Sequence, residues 1–206
     1  KYFSMSYNDI SGTIPDLSQL PRLETLTLDA NNLTGTLPDF GANSKLYMVA
    51  LQNNFLTGTL PANLFVHPSM SLFLASNNSL TGTIPPFAPD SKLSFVLLSN
   101  NELTGTLPAL PANLANIAVT SCGLTGAIPD FPPLLNTISL AENGFTGTIP
   151  PVGHTQLAFL DLRDNQLSGS LPQLDHIADS LVTLIVANNR LSGSLPPALD
   201  LPKLQV

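Results

Sequence analysis

Charge is scarce in this chain. Asp, Glu, Lys and Arg make up only 10% of its 206 residues, against about 25% in an ordinary globular domain. Seven Lys and Arg, scattered along the sequence, face fourteen Asp and Glu, for a net charge of −7. No basic patch exists to displace counterions, so nucleic acid and anionic membranes are excluded as partners. No apolar run approaches the ~18 residues that span a bilayer, and no membrane insertion is expected in this segment. No signal peptide is visible. Cys122 is the lone cysteine, which rules out an internal disulfide framework. Yet 43% of the residues are hydrophobic, far too many for a disordered chain. Neutral Ser, Thr and Asn side chains must cover the surface that charge does not.

What the chain has is a repeat. Nine glycines recur in one context: Gly12, Gly35, Gly58, Gly82, Gly105, Gly126, Gly147, Gly169 and Gly193. Their spacings are 23, 23, 24, 23, 21, 21, 22 and 24 residues. Each has Leu, Ile or Phe two residues before it, and Leu or Ile then Pro after it, as in Leu33-Thr34-Gly35-Thr36-Leu37-Pro38. Three apolar positions recur upstream: Leu23, Leu26 and Leu28 in the second copy, Leu93, Val96 and Leu98 in the fifth, Leu181, Leu184 and Val186 in the ninth. The last two alternate with outward residues, the period of a strand. A ladder position follows, filled by Asn8, Asn31, Asn54, Asn78, Asn101, Cys122, Asn143, Asn165 and Asn189. Its amide can bond backbone groups where the chain leaves the strand.

This pattern, L-x-x-L-x-L-x-x-N/C-x-L, resembles the leucine-rich-repeat family. Its continuation L-x-G-x-I/L-P resembles the plant-specific subclass found in extracellular receptor-like proteins and polygalacturonase inhibitors. The resemblance runs through all 206 residues. It implies a single curved right-handed solenoid of about nine repeats. A parallel β-sheet would line the concave face, followed by short second extended strands and irregular Pro-rich convex connectors with little or no α-helix. At ~4.8 Å per coil the stack is about 40 Å long. The connectors depart from the subclass: they are short and lack helical periodicity, with an apolar residue at the second position after the Pro (Leu17, Phe40, Phe87, Leu110, Phe131, Val152, Leu174).

The resemblance implies ligand binding on the concave face. There, Met48, Leu72, Leu74, Phe95 and Leu97 make a contiguous apolar patch, of a kind that marks binding surfaces. The alternative is a local slip in the fourth copy that turns Leu72 and Leu74 inward and Met70, Phe73 and Ala75 outward, or simple β-propensity. Phe159, Asp161 and Arg163 stand further along the same face. A second candidate surface is the [ST]-G-[ST] motif, broken only at Ala127. It reads as a plain hydroxyl ladder, as sites for O-linked sugars, or as an ice-binding face. The triplets Asn32-Leu33-Thr34 and Asn77-Asn78-Ser79 are N-glycosylation sequons, so N-linked glycans on Asn32 and Asn77 are expected outcomes of an extracellular or cell-surface location.

Catalytic chemistry finds no foothold. His67, His154 and His176 lie in connectors of separate repeats and do not converge on a metal. Asp16, Asp39, Asp90, Asp130, Asp175, Asp179 and Asp200 lie there too, as solvating or turn-forming residues. Cys122 reads as a buried structural thiol. No cofactor, metal or phosphate loop is implied. Lys1 aligns with Glu24 and Val206 with Thr25, so both ends cut the same part of a repeat and no polar cap is visible. The chain is therefore expected to be uncapped and truncated at both ends. Two functional classes follow: a non-catalytic recognition or adhesion scaffold for a protein, peptide or glycan, and a structural subunit that self-associates end to end in a glycosylated fibre. Ice binding is the minor third.

Overall fold

A strand forms where side chains alternate between core and solvent, and each repeat supplies two such stretches. The computed structural model describes residues 1–17, 19–40, 45–153, 155–195 and 203. The first three coils hold β1 (Tyr2–Ser4) and β2 (Ser11–Thr13), β3 (Thr25–Thr27) and β4 (Asn32–Thr36), then β5 (Met48–Ala50), β6 (Phe55–Thr59) and the helical turn α1 (Ala62–Phe65). The next three hold β7 (Leu72–Leu74) and β8 (Ser79–Thr83), β9 (Phe95–Leu97) and β10 (Glu102–Thr106), β11 (Asn116–Ala118) and β12 (Gly123–Ala127). The last three hold β13 (Thr137–Ser139) and β14 (Gly144–Thr146), β15 (Phe159–Asp161) and β16 (Ser168–Gly169), β17 (Thr183–Ile185) and β18 (Arg190–Leu191).

The odd-numbered strands make a nine-stranded parallel sheet in chain order. The even-numbered strands from β2 to β14 make a seven-stranded parallel sheet, and β16 pairs with β18. The second strands are short, from two residues in β16 and β18 to five in β4, β6, β8, β10 and β12. The two sheets differ in register. In the first, each residue pairs with its equivalent one repeat on: Thr25 with Met48, Met48 with Leu72. In the second the register slips by two residues, so that Thr13 faces Thr34 and Thr36 faces Thr57. Equivalent residues then stand ~4.8 Å apart in the first sheet and about 8 Å apart in the second. The first sheet takes the concave side that the repeat implies.

Between the sheets lies the core. In the inner coils the middle residues of the first strands, among them Leu26, Val49, Phe73, Val96, Ile138 and Leu160, are fully buried, while at the two ends Phe3 is exposed and Leu184 half-buried. Opposite them sit Leu56, Leu80, Leu103, Leu124, Phe145 and Leu167. Burying each such side chain contributes about 1.5–3 kcal/mol, but only where a neighbouring coil covers it. The apolar connector residues close the third side; Leu17, Phe40, Phe131, Val152 and Leu174 are buried. Two connectors contain a helical turn, α1 and a 3-10 turn at Asp175–Ile177. In α1, Leu64 and Phe65 are buried, and Phe65 packs edge-on against Phe73 (6.3 Å) and Phe87 (5.2 Å). His67 ends this turn: its buried Nδ1 accepts the backbone N–H groups of Ser69 (3.2 Å) and Met70 (3.1 Å). His154, Asp200 and Val206 lie outside the described residues.

The ladder ties coil to coil. Asn54 Oδ1 accepts the Leu33 N–H of the preceding coil, while its Nδ2 donates to the carbonyls of Leu28 and Leu51. Asn31, Asn78, Asn101, Asn143, Asn165 and Asn189 repeat this bridge; the Asn8 side-chain amide donates within its own coil, to Met5 and Ser6. The amide is aimed by the residue before it, which has a positive φ in all nine coils, from 51° at Ser121 to 58° at Tyr7 and Asn53. Asn and Asp tolerate this left-handed region best among residues with side chains, and they fill five of the nine positions.

Cys122 is the weak rung. Its Sγ lies 3.6 Å from the carbonyls of Leu98 and Thr120, the reach of a poor sulfur donor. Burial pushes the thiol pKa up, so the group stays protonated and inert. An amide here would restore the bridge. Cys122→Asn is therefore expected to stabilise the fold by about 1 kcal/mol, read as a higher urea midpoint at unchanged m-value. A lower midpoint would show that the sixth coil is shaped for sulfur.

Candidate functional site

Two faces of the solenoid are built regularly enough to act as surfaces. On the concave face, the first and third residues of each odd-numbered strand point away from the core. Met48, Leu72 and Phe95 are paired neighbours on one rung, and Ala50, Leu74 and Leu97 on the next. Met70, Phe73 and Ala75 are each fully buried, so the fourth coil is in register and Leu72 and Leu74 face outward. Phe95 is 38% exposed, and Met48, Leu72, Leu74 and Leu97 are half-buried against one another. Ala50 is too small to stand clear of Thr27 and Leu74, its rung neighbours, and is buried. The result is a low apolar ridge three strands wide.

Polar rungs flank the ridge. On one side Thr27 donates to Ser4 (2.7 Å) and Ser6 to Asp29 (2.5 Å). On the other, the hydroxyls of Thr120 and Ser139 share a hydrogen bond of 2.7 Å. Two coils further, Phe159 is half-buried and Asp161 is buried beneath Arg163. The Arg163 guanidinium meets Asp161 (2.5 Å), Glu142 (3.5 Å) and Asp164 (3.7 Å). Three carboxylates thus surround one cation, and this end of the face is acidic. Glu142 and Asp164 escape a reading of strand positions, because they occupy the positive-φ column beside the ladder. A charged residue just before a ladder Asn, in two successive coils, is the signal that finds them. The same column carries Asn77, whose Nδ2 donates to Asn53 (2.7 Å) and whose Oδ1 accepts from Asn100 (2.6 Å). Asn32, the other sequon asparagine, is exposed at the start of β4.

The second face is the sheet of the even-numbered strands. Of the eighteen positions flanking the nine repeat glycines, seventeen carry a hydroxyl and one is Ala127. The register slip sets them in a staircase. Thr34 and Thr36 lie along one strand, Thr36 faces Thr57 across to the next, and Thr59 then faces Thr81. Glycine is required in this sheet. Each repeat glycine has a φ between 77° and 94°, a region that disfavours side chains. A Cβ at Gly35, Gly58, Gly82, Gly105, Gly126 or Gly169 would also come within 2.7–2.9 Å of the preceding coil's Thr Cγ2.

Among the described residues, no group of three His, Cys, Asp or Glu side chains could hold a metal. No helix among them is long and apolar enough to cross a membrane.

The sequence profile named Leucine Rich Repeat matches residues 22–43, 156–174 and 180–201. Among curated protein sequences there is no match. The fold is similar to a TDR receptor (30% identity, TM-score 0.81), covering 92% of this chain and 34% of that one. It is similar to a plant ice-binding protein (28% identity, TM-score 0.82), covering 97% of this chain and 68% of that one. It is also similar to the Arabidopsis receptor kinase HAESA, in complex with the peptide hormone IDA and the co-receptor SERK1 (32% identity, TM-score 0.60), covering 99% of this chain and 44% of that one. The chain thus spans a third to less than half of these two receptor chains. Stacked coils in register, the profile matches and these likenesses make the chain a leucine-rich-repeat solenoid built on the plant-type repeat.

Proposed function

We propose that this chain is a non-catalytic extracellular recognition scaffold that binds a peptide or protein segment with apolar side chains on its concave face. The observation that carries this reading is the ridge of Met48, Leu72, Leu74, Phe95 and Leu97, turned away from the core on three adjacent strands. A soluble surface keeps such a cluster where a partner covers it. The polar rungs on either side suit a rim, with an apolar centre and hydroxyls around it. The likeness to receptor ectodomains, one of them described in complex with a peptide hormone, supports both the ligand class and the location. The surrounded Arg163 makes a poor anchor for an anionic ligand, so apolar contacts set the affinity.

The test is a selection of peptides from a displayed random library on the purified chain, followed by binding to the Leu74→Asp/Phe95→Asp variant. Burying one large apolar side chain is worth about 1.5–3 kcal/mol, so the selected peptides are expected to weaken roughly a hundredfold. Selected peptides that bind wild type and variant equally would sink the reading.

The hydroxyl staircase favours a second reading, in which the chain binds ice. Its support is the uncharged, regular array itself and the likeness to the plant ice-binding protein across 97% of the chain.

A further inference from the structure

The ice-binding reading leaves open which atoms meet the crystal. We propose, resting on that reading, that the working surface is the Thr staircase of the second sheet, held rigid by the glycine column, and that Ala127 is its one missing step. Twelve threonines make the staircase: Thr13, then Thr34 to Thr125 in facing pairs, then Thr146 and Thr148. The paired rungs run Thr13 with Thr34, Thr36 with Thr57, Thr59 with Thr81, Thr83 with Thr104 and Thr106 with Thr125. The sixth rung pairs Ala127 with Thr146.

Both sets of side chains are fixed before any ligand arrives. Before the glycine, the hydroxyls of four of the six threonines, Thr34, Thr57, Thr104 and Thr125, donate to the preceding coil's Gly carbonyl at 3.3–3.4 Å. After each glycine, the Thr Cγ2 drops over the next coil's Gly, in the space a Cβ would fill. Neighbouring threonines stand ~4.8 Å apart across strands and about 6.6 Å apart along them. That is the scale on which oxygens repeat on a face of hexagonal ice. A rigid array has little side-chain entropy to lose on meeting a lattice. Methyl groups displace liquid-like water while hydroxyls replace lattice oxygens.

Charge and shape select this sheet over the other. Its strands carry only Glu102 and Arg190, each at a strand's first residue and outside the staircase. The first sheet lies inside the curve and carries Asp29, Asp161 and Arg163, so a plane crystal face cannot rest on it. At the sixth coil the array fails for want of one side chain. The ideal Cβ of Gly147 meets only Ala127 Cβ, at 3.8 Å, so the slot for a Thr methyl at position 127 is present and empty.

Thermal hysteresis and the ice planes labelled by fluorescent protein test this, on chain produced without glycosylation because Asn32 lies in the same sheet. Thr57→Tyr/Thr104→Tyr is expected to remove most of the hysteresis. Leu74→Asp/Phe95→Asp is expected to leave it unchanged, and Ala127→Thr to raise it. Should wild type leave ice growth unaltered, the ice-binding reading itself falls. Should wild type act on ice while the concave variant loses activity and the Tyr variant keeps it, the reading stands and this face assignment is overturned. Ala127→Thr is a gain in a pre-formed slot, so its result holds even where the Tyr variant fails to fold. No gain, in a chain whose Tyr variant folds and loses hysteresis, overturns the missing step.

Discussion

Asn101→Ala is expected to destabilise the solenoid by about 2–6 kcal/mol, more than the same change at Asn54. The reason lies in what each leaves behind. Asn101 Oδ1 is the acceptor for Leu80 N–H (3.0 Å), and its Nδ2 donates to the carbonyls of Leu98 (2.8 Å) and Ala75 (3.0 Å). Ala75 keeps a second donor, Asn78, at 3.1 Å. Leu98 keeps only the Cys122 thiol at 3.6 Å. One buried N–H and one buried carbonyl are thus orphaned, at about 1–3 kcal/mol each. Asn54→Ala orphans Leu33 N–H, but the carbonyl of Leu51 retains Asn78 at 3.0 Å and that of Leu28 retains Asn31 at 3.0 Å. Its expected cost is about 1–3 kcal/mol. Urea unfolding of both variants, followed by circular dichroism, measures the difference. Equal losses would show that the Cys122 rung supports its neighbour as well as an amide does. Because each coil contacts only its neighbours, the Asn101 variant is also expected to lose cooperativity between its two halves.

The contrast between these asparagines shows how much a sequence of this kind discloses. Repetition makes the architecture legible: a Leu or Ile that returns every 21–24 residues beside a Gly and a Pro has one compact solution, in which each copy stacks on the last. The ladder is legible for the same reason, since one residue type recurs in one slot. The positive-φ column is not. Tyr7, Ala30, Ser121 and Glu142 share a backbone conformation with Asn53 and Asn188 but no chemistry, so nothing in their identities repeats. Hence Glu142 and Asp164, which complete the Arg163 cluster, stay hidden until the fold sets them side by side. The concave ridge shows the opposite case. Leu72, Phe73 and Leu74 are all large and apolar, and alternation gives no preference for which of them faces in. Pairing settles it, because Phe73 lies between Val49 and Val96, both fully buried, and the two leucines must then point out.

Register in the second sheet was likewise beyond the sequence. The glycines recur in line with the repeat, which suggests columns stacked straight up the solenoid. The two-residue slip instead sets each Thr after a glycine beside the Thr before the next one. This slip couples backbone register to surface chemistry, because the offset joins two separate columns into one connected array.

The glycine column should reveal that coupling in stability as well. Gly58→Ala is expected to cost about 2–4 kcal/mol and Gly147→Ala only about 1–2 kcal/mol. Both glycines have nearly the same backbone, with φ of 77° and 81°, so both pay the same penalty for an L side chain in the left-handed region. They differ in what the new methyl meets. At Gly58 it arrives 2.7 Å from Thr36 Cγ2, and the β-branched threonine yields only by leaving its preferred rotamer. At Gly147 it meets Ala127 Cβ at an ordinary 3.8 Å. A double-mutant cycle isolates the contact, because position 127 decides whether the crowding exists. In the Ala127→Thr background, Gly147→Ala should rise to the cost seen at Gly58, a coupling of at least about 1 kcal/mol. Additivity within the error of the denaturation curves would mean that the threonine methyl does not occupy the glycine's space, and that the rotamers of the staircase are free.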